Sequence, residues 1–266
     1  MTKNALNVGS VEHYDDAELY DHEYKRRRKD AKFYLALAKR LAPNKTLEIC
    51  CGSGRVTRGL ARAGFHIDGF DASASMLKRA QLRIEQAGKK ASANTTLWLD
   101  DMRSFETKEK YSYIFSAFNS LEHLYNREEL SSFLNRVSTS LAPGGTFAFD
   151  VQLPHLQWLC RDEEKRWART KFKHPKTGQR LEYTTNHHYD AIHQICFINI
   201  YYKPLEKGPL KTEKHIRLAQ RKYFPAELTS LLHFHGFAIA SQFGDFEEKP
   251  LSEESENQVY VCKNTM

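Results

Sequence analysis

The residues with the most chemical promise run Leu47-Glu48-Ile49-Cys50-Cys51-Gly52-Ser53-Gly54-Arg55. A short apolar run ends there in small residues and glycines, ahead of a segment with helical periodicity. Glycine lets the main chain approach a ligand closely and take turn conformations closed to other residues. A dinucleotide site of the G-x-G-x-x-G type needs its third glycine at position 57, and the chain has Thr57. Glu48, at the end of the strand, would repel a pyrophosphate and would suit a ligand carrying an ammonium group. The plainer reading makes Glu48 a buried acid with a partner inside the protein. A second acid, Asp71, lies 71 − 52 = 19 residues past Gly52. That is close to the ~20 residues at which an acid reaches ribose hydroxyls. Its alternative is an ordinary N-cap of the helix that follows. Asp100 and Asp101 read either as ligand-facing acids or as solvated loop residues.

These residues need elements to hold them. Apolar runs at 46–49, 65–70, 95–99, 113–118 and 146–151 alternate with helical patterns at 55–63, 73–87 and 127–141. This β-α-β-α rhythm predicts a parallel sheet covered by helices, and such sheets bind ligands beyond the carboxyl ends of their strands. Residues 14–42 carry Tyr14, Tyr20, Tyr24, Phe33, Leu35, Leu37 and Leu41 at helix-like intervals. From about 165 the pattern changes to aromatic and β-branched runs at 181–189, 194–202 and 215–223, which predict antiparallel strands. A helix opening at Pro225 and ending at Gly236 follows, then strands at 237–243 and 258–262.

The 266 residues include 41% hydrophobic and 12% aromatic side chains, enough for a packed core and too many for a disordered chain. No apolar run approaches the ~20 residues of a membrane-spanning helix. The opening Met1-Thr2-Lys3-Asn4 lacks a signal-peptide core, so a cytosolic, cytoplasmic location is expected. Five cysteines without C-x-x-C spacing suggest neither a disulfide framework nor a metal site. The net charge of +7 permits contact with nucleic acid without demanding it, and the cluster Lys25-Arg26-Arg27-Arg28-Lys29 reads as a solvated helix face in preference to a phosphate-binding surface.

Taken with their order, these motifs resemble the class I S-adenosylmethionine-dependent methyltransferases of small-molecule type. The resemblance runs over roughly 12–262. It implies an α/β, Rossmann-like, doubly wound, seven-stranded and mostly parallel sheet, with an antiparallel β insertion and N-terminal lid helices. As one methyltransferase domain, 1–42 would be the lid, 43–160 and 224–266 the cofactor-binding core, and 161–223 the insertion over the acceptor site. The first motif maps to Glu48, Cys50, Gly52 and Gly54, followed by Arg55, with Cys50 standing where the family has its first glycine. Asp71 would hold both ribose hydroxyls of S-adenosyl-L-methionine, with Ala72, Ser73 and Met76 packing beside the adenosine. Asp101 would accept the adenine amino group beside Met102 and Arg103. Phe118 and Asn119 belong to the fourth motif, and Leu141-Ala142-Pro143-Gly144-Gly145 matches the turn before the fifth strand. Tyr14 would cover the methionine end of the cofactor.

Methyl transfer is an in-line displacement at a carbon activated by a sulfonium. Holding the acceptor in line can supply ~7–11 kcal/mol of barrier reduction. A protonated amine or a hydroxyl acceptor also benefits from a base. His123, just past the fourth strand, is the candidate, and its alternative is a histidine packed on the next helix. Tyr20, Asp150, Gln152, His155, His187 and Arg217 are candidates to line the acceptor pocket, each with a scaffold role as its alternative. Adjacent His187 and His188 must point to opposite faces of a strand. The Phe118-Asn119-Ser120-Leu121 segment lacks the [DN]-P-P-[YF] prolines of exocyclic-amino nucleic-acid methyltransferases. The expectation is therefore a small-molecule N- or O-methyltransferase with a small-molecule acceptor, with no membrane or nucleic-acid partner and a homodimer compatible with the pattern. A tRNA or protein methyltransferase and a non-catalytic cofactor-binding protein are the alternatives.

Overall fold

A computed structural model describes Leu6, Val8, Gly9 and residues 11–265. The Met1-Thr2-Lys3-Asn4 segment read for a leader lies outside the described residues. The chain forms two compact units: 26–153 with 223–266, and 1–25 with 154–222.

The larger unit is built on a seven-stranded sheet in the order β10-β11-β5-β4-β1-β2-β3. Its strands are β1 (Thr46–Ile49), β2 (Ile67–Asp71), β3 (Thr95–Leu99), β4 (Tyr111–Ser116), β5 (Leu141–Gln152), β10 (Phe237–Phe243) and β11 (Asn257–Asn264). β1 pairs in parallel with both β2 and β4, and β11 runs antiparallel to its neighbours β5 and β10. The chain adds β2 and β3 on one side of β1, then β4 and β5 on the other. The reversal leaves a crevice beyond β1 and β4, which is where an open α/β sheet binds its ligand.

Local chemistry explains the helices. In Lys29–Leu41 the buried residues Phe33, Tyr34, Leu37 and Ala38 form one stripe, and the helix stops at Ala42 in a left-handed conformation. Ser73 caps Ala74–Glu85 by accepting from the Met76 amide, and Asn126 caps Arg127–Ser140 through the Glu129 amide. Such caps satisfy first-turn N–H groups that have no helical partner. Pro225 opens Pro225–Phe234, and Leu228 and Leu232 bury its inner face. Two apolar clusters cover the sheet, one around Ile114, Phe133, Phe147 and Tyr260, the other around Tyr34, Leu60, Tyr113 and Phe115.

The smaller unit is a four-stranded antiparallel sheet, β6-β7-β8-β9, from Trp167–Lys173, Arg180–Asp190, Ile195–Pro204 and Lys214–Arg221. Its core joins Leu19 of the helix Ala17–Glu23 to Leu181, Ile200, Tyr202, Ile216 and Leu218. β6 escaped the sequence reading because most of its residues are exposed, so it carries no period-two apolar signal. The short helix Lys89–Ala93, with Ala91 as its buried residue, escaped for the same reason. Among the described residues no helix is long and apolar enough to cross a membrane.

Candidate active site

The turn after β1 is the most constrained stretch of main chain in the crevice. Cys50, Gly52 and Gly54 all take positive φ, at 57°, 54° and 74°. A Cβ on Gly54 would lie 2.9 Å from the Ala80 Cβ, so only glycine lets the turn sit against that helix. A Cβ on Gly52 would meet nothing within 4 Å, so the main chain there faces open space. Cys50 takes the backbone shape that the family meets with glycine, and its thiol lies 3.5 Å from the Met102 sulfur. Glu48 is buried beneath the turn and accepts from the Thr57 hydroxyl at 2.5 Å. Burial pushes its carboxyl up to about 8, against the lowering effect of the Thr57 hydroxyl.

Asp71 ends β2 with one oxygen accepting from the Gly52 amide at 2.8 Å and the other from the Ser73 amide at 2.9 Å. Its helix-start role and its orientation toward the turn are therefore joint. Burial raises its pKa, opposed by those amides. Ser73 is the N-cap that follows Ala72, and Met76 is buried on the inner face of the helix that Ser73 caps.

After β3, Asp100 accepts from the Asp101 amide at 2.8 Å and from the Trp98 indole at 3.2 Å. Asp101 accepts from the Arg103 amide at 2.8 Å and from its guanidinium at 2.9 Å. Arg55, read as a cofactor contact, forms a forked pair with the buried Asp30 at 2.7 and 2.5 Å. Its guanidinium also lies 5.6 Å from the centre of the Phe118 ring, which Arg27 approaches at 4.7 Å.

The loop after β4 is equally strained, with φ of 64° at Phe118 and 61° at Asn119. The brace is Asp150. It accepts from the Phe118 and Asn119 amides at 2.9 and 3.2 Å and from the Tyr34 hydroxyl at 2.6 Å. Asp150 was expected among the acceptor-pocket residues; the structure instead seals it, 1% exposed, beneath the loop it holds. Burial pushes its carboxyl up to about 6. Gln152 closes the sheet through its amide, which donates to Glu122, a fully buried acid the sequence reading passed over. Glu122 gave no signal because it sits beside His123 in a short 3-10 turn, Ser120–His123, without helical periodicity. His123 is half-buried, and its Nδ1 lies 3.2 Å from the Tyr125 hydroxyl.

The smaller unit holds the remaining candidates. Tyr14 and Tyr20 pack with His13 and Tyr24 as a ring cluster, with centroids 4.7–5.9 Å apart. His187 is buried, stacks on Trp158 at 4.1 Å and donates from Nε2 to the Trp158 carbonyl at 2.9 Å. Burial lowers its pKa, opposed by the Trp158 and Leu159 carbonyls. His188 points to the other face and pairs with Glu163, as the strand alternation requires. Arg217 is forked onto Glu12. Thus His187 and Arg217, expected in the acceptor pocket, are engaged in scaffold contacts within this unit. His155 is the residue before the short helix Leu156–Leu159.

A mostly parallel sheet with a glycine turn after β1, an acid at the end of β2 and a strained loop after β4 defines a Rossmann-like core. Comparison with known proteins agrees. A family profile described as "Methyltransferase domain" matches residues 46–145. An N,N-dimethyltransferase of dTDP-3-amino-3,6-dideoxy-alpha-D-glucopyranose from Streptomyces fradiae is 31% identical over 153 residues, 54% of this chain and 57% of that protein. The match therefore spans a little over half of that relative's length. The corresponding enzyme for dTDP-3-amino-3,4,6-trideoxy-alpha-D-glucopyranose from Streptomyces venezuelae is 30% identical over 169 residues, 59% of this chain and 67% of that one. The CcbJ methyltransferase structure from Streptomyces caelestis superposes with a TM-score of 0.77 over 96% of this chain and 99% of that one, at 19% identity, and so shares the fold. The chain belongs to the class I S-adenosylmethionine-dependent methyltransferases.

Proposed function

We propose that this protein transfers a methyl group from S-adenosylmethionine to an amino nitrogen of a small molecule, of the amino-sugar or natural-product-intermediate kind. The observation that carries the cofactor half is the turn from Glu48 to Gly54, with bare main chain at Gly52 and the Asp71 carboxylate held on the Gly52 amide. Glu48 takes the ammonium of the methionine end, and the turn's amides face its carboxylate. Asp71, already oriented by the Gly52 and Ser73 amides, receives the ribose hydroxyls. Asp101 and the Met102 main chain receive the adenine edge. When bound, the cofactor supplies an electrophilic methyl carbon whose leaving group is a neutral thioether.

The acceptor half rests on the loop after β4 and on the amino-sugar substrates in the names of the relatives. Asp150 holds Phe118 and Asn119 in left-handed backbone at the carboxyl edge of the sheet, which fixes where an acceptor can sit. His123, next along the loop, takes the proton that the amine loses. For that role Nδ1–H donates to the Tyr125 oxygen and Nε2 is the basic nitrogen.

The test is incubation of the purified chain with labelled S-adenosylmethionine and a panel of amino sugars, their nucleotide-linked forms and hydroxyl-only analogues. Gain of one or two methyl groups on nitrogen, with release of S-adenosylhomocysteine, is expected. Methylation confined to hydroxyl analogues, or to added tRNA, defeats the amine assignment.

A further inference from the structure

The cofactor side and the acceptor side of the crevice are joined by one side chain. The Arg103 guanidinium donates from Nη1 to Asp101 at 2.9 Å and from Nη2 to the His123 carbonyl at 3.0 Å. Its Nε makes no hydrogen bond among the described residues and meets the Glu129 carboxylate as an ion pair at 3.5 Å. The other oxygen of Glu129 accepts from the Tyr125 amide at 2.6 Å, and the Tyr125 hydroxyl lies 3.2 Å from His123 Nδ1. The contacts close a ring: Arg103 to Glu129, to Tyr125, to the His123 imidazole, and back through the His123 carbonyl. Asp101 links the ring to the adenine side.

We propose that Arg103 is a positioning residue that couples occupancy of the adenine side at Asp101 to the placement of the His123 imidazole on the acceptor side. The inference rests on the methyltransferase reading above. A donor that takes over the Asp101 oxygen competes with Nη1. The guanidinium is a rigid planar fork, so Nη1 cannot move without altering the bond from Nη2 to His123. Hydrogen bonds in such a network respond together rather than singly. The same fork explains why arginine is needed: one lysine ammonium cannot span three partners. The sequence reading placed Arg103 among the cofactor contacts, whereas the geometry gives it both sides.

The experiment uses the full chain with 15N-labelled histidine and S-adenosylhomocysteine as probe. His123 ring resonances are assigned by their loss in His123→Asn. In the wild type, adding the probe is expected to shift the His123 ring signals. In Arg103→Gln and Arg103→Lys, each measured at a probe concentration that calorimetry shows to be saturating for that variant, the shift should vanish. Two results overturn the coupling: a His123 shift that survives in both variants, or no shift in a wild type that binds the probe. Weakened binding with the shift intact makes Arg103 a cofactor contact alone. A wild-type chain that fails to bind the probe defeats the methyltransferase reading itself, which separates the two failures.

Discussion

At Gly52 and Gly54 the same residue type is required for two different reasons. Both have left-handed backbone, which costs a residue with a Cβ about 1–2 kcal/mol. At Gly54 the Cβ also meets Ala80 at 2.9 Å, whereas at Gly52 it meets open space. Gly54→Ala should therefore destabilise more than Gly52→Ala, by an additional ~1–3 kcal/mol of overpacking, as read by urea denaturation. Equal losses would show that the Ala80 contact relaxes freely. Glu48 makes a second residue-scale prediction. Its carboxyl stays protonated in the folded chain to about pH 8, against an ordinary 4.5. Between those values the unfolded chain binds fewer protons, so the stability Glu48 contributes falls as pH rises through that window. Glu48→Gln should flatten that decline. An ammonium placed beside Glu48 favours its ionised form, so cofactor binding near neutrality should release close to one proton. Calorimetry in two buffers of different ionisation enthalpy measures it; no proton release would remove Glu48 as the ammonium's partner.

At the scale of elements, the helix Lys29–Leu41 shapes the site at two loops, and its Asp30 pairs with Arg55 in the turn after β1. Its Tyr34 ring stacks on Phe115 of β4 at 4.8 Å, while its hydroxyl reaches Asp150 at 2.6 Å. Asp150 in turn holds the left-handed Phe118 and Asn119. Backbone strain of this kind costs of order 1–3 kcal/mol per residue and persists only where its surroundings hold it. Tyr34→Phe removes one donor from a buried carboxylate and should cost about 1–3 kcal/mol. Asp150→Ala leaves two amides and a hydroxyl without their acceptor and should cost more, with loss of turnover on any acceptor the wild type methylates. If Asp150→Ala proved no more destabilising than Tyr34→Phe, the brace would have to lie elsewhere.

For the molecule as a whole, ligand binding and stability are linked. S-Adenosylhomocysteine at 100 times its Kd should stabilise the folded form by about 2.7 kcal/mol. Within the larger unit, hydrogen exchange should slow most in the turn from Cys50 to Gly54, at Asp71–Ser73 and at Asp101–Arg103. Slowing confined to other segments would relocate the site. The smaller unit has an apolar core of its own around Leu181, Ile200 and Tyr202.

Period and turn chemistry were enough to locate β1, β3, β10 and the helix that Pro225 opens, because their signals are local. The glycine turn, Glu48 and Asp71 were legible for the same reason: a strand end, a tight turn and a helix start leave marks within a few residues. Three things were decided by tertiary structure. The sealing of Asp150 depends on Tyr34, 116 positions away, and on a loop 31–32 positions away. The pairing of Arg55 with Asp30 and the ring through Arg103 join segments 20 or more residues apart. Carboxylates and guanidiniums have the same local preferences whether they meet a ligand or each other, so sequence can nominate them, but only the folded chain shows which partner each has taken.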